Sequence, residues 1–124
     1  MLGDVPRVLL GNLEPIVRLG MVAVLEEDGA DVIGHEERPQ ALVLMAARQQ
    51  PDLVVLDLLE RSSRPLAERV RVAAPDATVV LWARDEDAME VLDPGATVPR
   101  RLFTELADEL RRTLRGARAG RTTE

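Results

Sequence analysis

The 124-residue chain contains no cysteine and no lysine, one histidine, two serines and two aromatic residues. Without cysteine there are no disulfides, thiolate metal sites or thiol nucleophiles. All 16 basic residues are Arg, which excludes a P-loop lysine, a Schiff-base lysine and a Ser–Lys dyad. His35 alone cannot build a His-rich zinc site. Ser62 and Ser63 lie in no G-x-S-x-G elbow. No apolar run approaches the ~18 residues that would cross a bilayer. Met1-Leu2-Gly3-Asp4 has neither a basic region nor an apolar signal segment, so a cytoplasmic location is expected. Together these absences point away from an enzyme.

Charge is unevenly spread. Residues 111–124 hold five Arg and one Glu, a net of +4, while residues 1–110 hold 11 Arg against 21 acids, a net of −10. The acidic body disfavours direct nucleic-acid binding, which needs phosphate neutralisation. Residues 116–124 are expected to form a disordered basic tail behind one domain spanning residues 1–115.

Short continuous apolar runs predict buried strands at Arg7–Leu10, Asp31–Ile33, Leu53–Leu56, Thr78–Trp82 and, weakly, Ala96–Val98. Between them lie helical stripes. Leu13, Ile16, Val17, Met21, Val24 and Leu25 form the first; Leu42, Met45 and Ala46 the second; Leu66, Val70 and Ala73 the third. Met89 and Leu92 suggest a short fourth helix between Asp85 and Asp93, and Phe103, Leu106, Leu110 and Leu114 a fifth. Pro15, Gly29, Pro51-Asp52, Pro75-Asp76 and Asp93-Pro94-Gly95 punctuate these segments. Five βα units predict an α/β fold, a doubly wound parallel sheet with helices on both faces.

Ligands on such sheets gather beyond the carboxyl ends of the strands. Asp57, closing Leu53-Val54-Val55-Leu56, therefore stands out as a carboxylate at the rim of a buried strand. The plainer alternative makes it a loop cap or a partner of Arg84 or Arg100. Trp82 ends the fourth strand, either as packing, as a plug in the pocket, or as a stacking surface. Asp85, Glu86, Asp87, Glu90 and Asp93 form an acidic cluster on or beside the expected fourth helix, either a solvated face with Asp85 or Asp87 as a cap or a charged face complementary to Arg100, Arg101, Arg111 and Arg112.

Arg7–Leu10, Pro15–Met21, Pro51–Leu58 and Gly95-Ala96 resemble the response-regulator receiver domain, a CheY-like, flavodoxin-like family, and its NarL/LuxR type in particular. The resemblance implies a three-layer sandwich with strand order 2-1-3-4-5 and about five helices. It also places Asp57 in the phosphoacceptor slot. The family binds Mg²⁺ through two acids after the first strand and uses a Thr or Ser after the fourth and a Lys near the fifth. Here those slots hold Asn12-Leu13, Trp82, and Val98 or Arg100. The pocket thus reads as vestigial, formed by Asn12, Leu13, Trp82, Arg84 and Arg100, with Asn12 and Asp57 the residual metal ligands. No cofactor is expected unless phosphotransfer persists, in which case it is Mg²⁺.

Four readings follow. The first is a degenerate receiver working by protein contact or dimerisation without phosphate, through the face carrying Asp85, Asp87, Glu90, Arg100 and Arg101. The second is a receiver still phosphorylated on Asp57. The third is a small-molecule sensor using Asn12, Asp57, Trp82 and Arg84. The fourth is the regulatory part of a longer DNA-binding regulator, with Arg115–Arg121 opening a linker.

Overall fold

The computed structural model describes residues 5–58, 63–83 and 88–103. The chain runs β1 (Arg7–Leu10), α1 (Pro15–Glu27), β2 (Asp31–His35), α2 (Pro39–Gln49), β3 (Leu53–Asp57), α3 (Ser63–Ala73), β4 (Thr78–Ala83), β5 (Ala88–Leu92) and β6 (Arg100–Phe103). These strands form one sheet in the order β2-β1-β3-β4-β5-β6. The β1–β2, β1–β3 and β3–β4 pairings are parallel, and the β4–β5 and β5–β6 pairings are antiparallel.

Both faces of the sheet are covered, which is why its central strands lack polar alternation. Val8, Leu10, Leu53, Val55, Val80, Met89 and Val91 pack with Met21 and Leu25 of α1. Leu9, Val54, Leu56, Val79, Leu81 and Leu92 pack with Leu42 and Ala46 of α2 and Leu66, Ala67 and Val70 of α3. Successive residues of β3 thus enter opposite cores, as a pleated strand requires.

Helix boundaries follow local chemistry. Pro15 opens α1 where its missing N–H costs nothing. The helix stops at Gly29, whose φ of +88° suits a residue without Cβ. There the Gly29 N–H donates to Glu26 O and the Ala30 N–H to Leu25 O, the paired bonds that close a helix on a left-handed glycine. Gln50 ends α2 in the left-handed region and donates its side-chain amide to Ala73 O at 2.8 Å, joining the ends of α2 and α3.

The α/β class and the expected β1–β4 order hold, and the chain departs from expectation after β4. The segment expected as a fourth helix contains β5: Met89 and Val91 face one core and Leu92 the other. Tight cross-strand pairing, such as Trp82 to Met89, overrides the helix-like spacing of Met89 and Leu92. The fifth strand is not Ala96–Val98. Those residues lie in the β5–β6 connection, where Gly95 has φ +79°, and Arg100–Phe103 pairs instead. The sheet therefore has six strands rather than five parallel ones, and three helices occur among the described residues. Phe103 belongs to β6, while Leu106, Leu110, Leu114 and the tail at 116–124 lie outside the described residues. Ile16, assigned to the buried stripe, is 79% exposed, because at about 100° per residue it lies about 140° around α1 from buried Met21.

Candidate functional site

The carboxyl ends of β1, β3 and β4 meet at one edge of the sheet. Gly11, just after β1, donates its N–H to Val55 O at 2.9 Å. A Cβ there would lie 2.2 Å from Leu56 Cδ2 and 2.9 Å from Leu42 Cδ2, so any side chain at this position has to push both core leucines aside for the turn to approach β3 this closely. That approach delivers Asn12 to the end of β3.

Asn12 is held at both ends of its amide. Its Oδ1 accepts the Asp57 backbone N–H at 2.9 Å, and its Nδ2 donates to Ser63 Oγ at 2.9 Å. The Ser63 hydroxyl in turn donates to the Asp57 carbonyl oxygen. The three residues form a closed ring of hydrogen bonds that ties β1, β3 and the start of α3 together. Ser63 is fully buried and Asp57 is 3% exposed. Beside them, Leu58 N–H donates to Trp82 O at 3.0 Å, and Trp82 is the cross-strand partner of Asp57. Trp82 packs against the α1-side core and is partly buried.

A second polar group lies on the α3 side. Glu90 is 5% exposed on β5. It accepts two hydrogen bonds from the Arg64 guanidinium, at 2.7 and 2.6 Å, and one from Arg101 at 3.3 Å. The fork geometry matches a carboxylate, and these bonds hold the Arg64 pKa above its ordinary value. Glu90 was expected on an exposed interaction face; instead it is buried as the anchor of this cluster. Arg100 pairs with Asp93 at 2.7 Å, across the β5–β6 connection rather than at Asp57. Arg84, Asp85 and Asp87 lie outside the described residues.

A cleft of about 390 Å³ opens beside the ring, lined by Asn12, Leu13, Glu14, Pro15, Glu37, Pro39 and Leu66. Of the residues expected to hold a ligand or metal, Asn12 and Leu13 line it. Next to it, Glu36 accepts the Arg38 backbone N–H at 2.9 Å and its Nε at 3.0 Å. Those bonds hold the Glu36 carboxyl down at about 2.

The structure brings Asn12, Asp57 and Trp82 to one corner and leaves Arg100 apart. Ser63 was missed as a site residue because its partners, Asn12 and Asp57, are remote in sequence and a lone serine gives no spacing signal. The donors at this corner do not fit Mg²⁺, which demands an octahedral oxygen shell. The Asn12 oxygen is committed to the Asp57 N–H, and the neighbouring slot holds Leu13, 1% exposed. Among the described residues no group of three or more His, Cys, Asp or Glu could hold a metal. No described helix is long and apolar enough to cross a membrane.

No family model matches the chain. It spans less than half the length of the relatives found in comparison with characterised proteins. Over 97 residues, 73% of this chain and 46% of the relative, it is 25% identical to the transcriptional regulatory protein PdtaR of Mycobacterium tuberculosis, in strains CDC 1551 and H37Rv alike. The chain, an α/β sheet whose third strand ends on an aspartate, is thus similar in sequence to a bacterial transcriptional regulator.

Proposed function

We propose that this chain is a receiver-like regulatory module of the cytoplasm that acts by protein–protein contact and does not transfer phosphate. The carrying observation is the ring of Asn12, Asp57 and Ser63. Where the resemblance implies an acidic metal pocket, a neutral amide bridges two strands and a helix. A phosphoryl group and a carboxylate are both negative, so their reaction needs a cation between them. The ring spends on structure the only side-chain oxygen that Asn12 offers. Trp82, next to Asp57 across the strands, adds bulk at the same place. Similarity to a transcriptional regulator supports a role in signalling to gene expression, with any DNA contact belonging to another domain or partner.

The test uses the single tryptophan. Trp82 fluorescence is followed while Mg²⁺ and beryllofluoride are titrated into the protein. The expected result is no saturable change and no shift in melting temperature. A saturable change that disappears in Asp57→Ala would establish phosphoacceptor chemistry and defeat the proposal.

A further inference from the structure

Helix α3 is fastened on two flanks by residues that are neighbours in the chain. Ser63 belongs to the ring at the ends of β1 and β3, through Asn12 Nδ2 and the Asp57 carbonyl oxygen. Arg64, the next residue, forks onto both carboxylate oxygens of Glu90 on β5, at 2.7 and 2.6 Å. Because one peptide bond joins the two anchors, a shift of the helix start moves both.

The other end of α3 repeats the hold. Arg71 donates to the carbonyl oxygen of Asp93 at 3.3 Å and to that of Ala96, both in the β5–β6 connection. Seven residues bring a side chain back to within about 20° of its first direction on an α-helix. Arg64 and Arg71 therefore leave the same side of α3, two turns apart, and hold the β5–β6 hairpin at its strand and at its turn. The hairpin's backbone ladder to the remaining strands runs through β4.

Burial makes the Arg64 anchor consequential. Glu90 is 5% exposed, and a carboxylate stripped of its partners at such a place is an uncompensated buried charge. Arg101, its cross-strand partner on β6, supplies one bond at 3.3 Å. When Arg64 withdraws, β5 and β6 must shift until Arg101 closes on Glu90 or water reaches it. Leu56, Leu81, Glu90 and Arg101 form one cross-strand row, so that shift occurs two to three strand spacings, roughly 10–14 Å, from the Asp57 corner.

We propose that α3 is a regulatory lever that couples the Asn12–Asp57–Ser63 corner to the β5–β6 hairpin. It has two states. In one, the ring is closed and Arg64 grips Glu90; in the other, the ring is open, the helix start has moved, and Glu90 is left to Arg101. Contiguous hydrogen bonds and a rigid helix can carry such coupling. A contact made at the corner is thereby read out at β6, the last strand of the described sheet. The lever goes beyond the contact-driven reading and operates whether or not phosphate is transferred.

Amide hydrogen exchange of the whole chain, followed by NMR, tests it by perturbing the hairpin side and reading the corner. Arg64→Met removes the fork and leaves the backbone ladder through β4 intact. The Asp57 N–H, held by Asn12 Oδ1, is read relative to the Val54 N–H in the middle of the same strand, which reports global opening. The expected result is an Asp57-to-Val54 exchange ratio raised about fivefold in Arg64→Met. Arg64→Lys, which keeps the charge but not the fork, should raise it about twofold, and it serves if the methionine variant does not fold. Arg100→Met is the control: it removes the same charge from the hairpin at the Asp93 pair without touching α3, and should leave the ratio unchanged. An unchanged ratio in the Arg64 variants, or an equal rise in Arg100→Met, overturns the lever. Neither outcome bears on the beryllofluoride titration, so the two proposals fail separately.

Discussion

Removing the Asn12 amide tests whether the ring at the sheet edge is structural. In Asn12→Ala the Asp57 N–H loses its acceptor and Ser63 loses a donor. Ser63 is fully buried and Asp57 is 3% exposed, so water does not readily replace the missing partner. An unsatisfied buried N–H costs about 1–3 kcal/mol, and the second bond adds about 1 kcal/mol. The sum is about 2–4 kcal/mol, which lowers the melting temperature of a chain this size by roughly 10 °C. In Ser63→Ala the stranded Asn12 amide is partly exposed and can hydrate, so the cost should be lower, about 1–2 kcal/mol. Urea unfolding of both single variants and the double variant gives the coupling directly. The two changes share one bond and should fall short of additivity by about 1 kcal/mol. Additivity within roughly 0.3 kcal/mol, or an Asn12→Ala cost below about 0.5 kcal/mol, would refute the ring.

Acid unfolding should show the Glu36–Arg38 contact. The Glu36 carboxyl falls from 4.5 to about 2 on folding, so its stabilisation is present above pH 4.5 and is lost as pH drops toward 2. Glu36→Gln should flatten that part of the stability curve by lowering stability slightly at neutral pH while leaving pH 2 nearly unchanged, which melts from pH 2 to 7 will check. Gly11→Ala should destabilise by about 1–3 kcal/mol, since its methyl would collide with Leu56 and Leu42. Calorimetry reads that change, and a neutral result would mean the turn can retreat from β3.

From β1 to β4 the fold was legible because apolar runs and helical stripes alternate with proline and glycine at each boundary. Beyond β4 the signal was ambiguous in a specific way. Met89 and Leu92 are three apart, as on a helix, yet both faces of β5 are buried and strand alternation vanishes. Glu90 looked solvated because its partners, Arg64 and Arg101, are 26 and 11 residues away. Asp57 and Asn12 were recognisable as rim residues, since each follows an apolar strand. That Asn12 works as a bridge was not recognisable, because the ring depends on Ser63, 51 residues further along.

The antiparallel run of β4, β5 and β6 also affects the order in which the molecule assembles. Residues 78–103 pair with near neighbours in the sequence, as hairpins do within about 1–10 μs. β1 lies between β2 and β3 in parallel pairings, each of which waits on a crossover helix. Within the described residues, the β4–β6 stretch can therefore pair without waiting on any crossover, whereas β1 is held on both sides only once β2 and β3 have been carried back beside it.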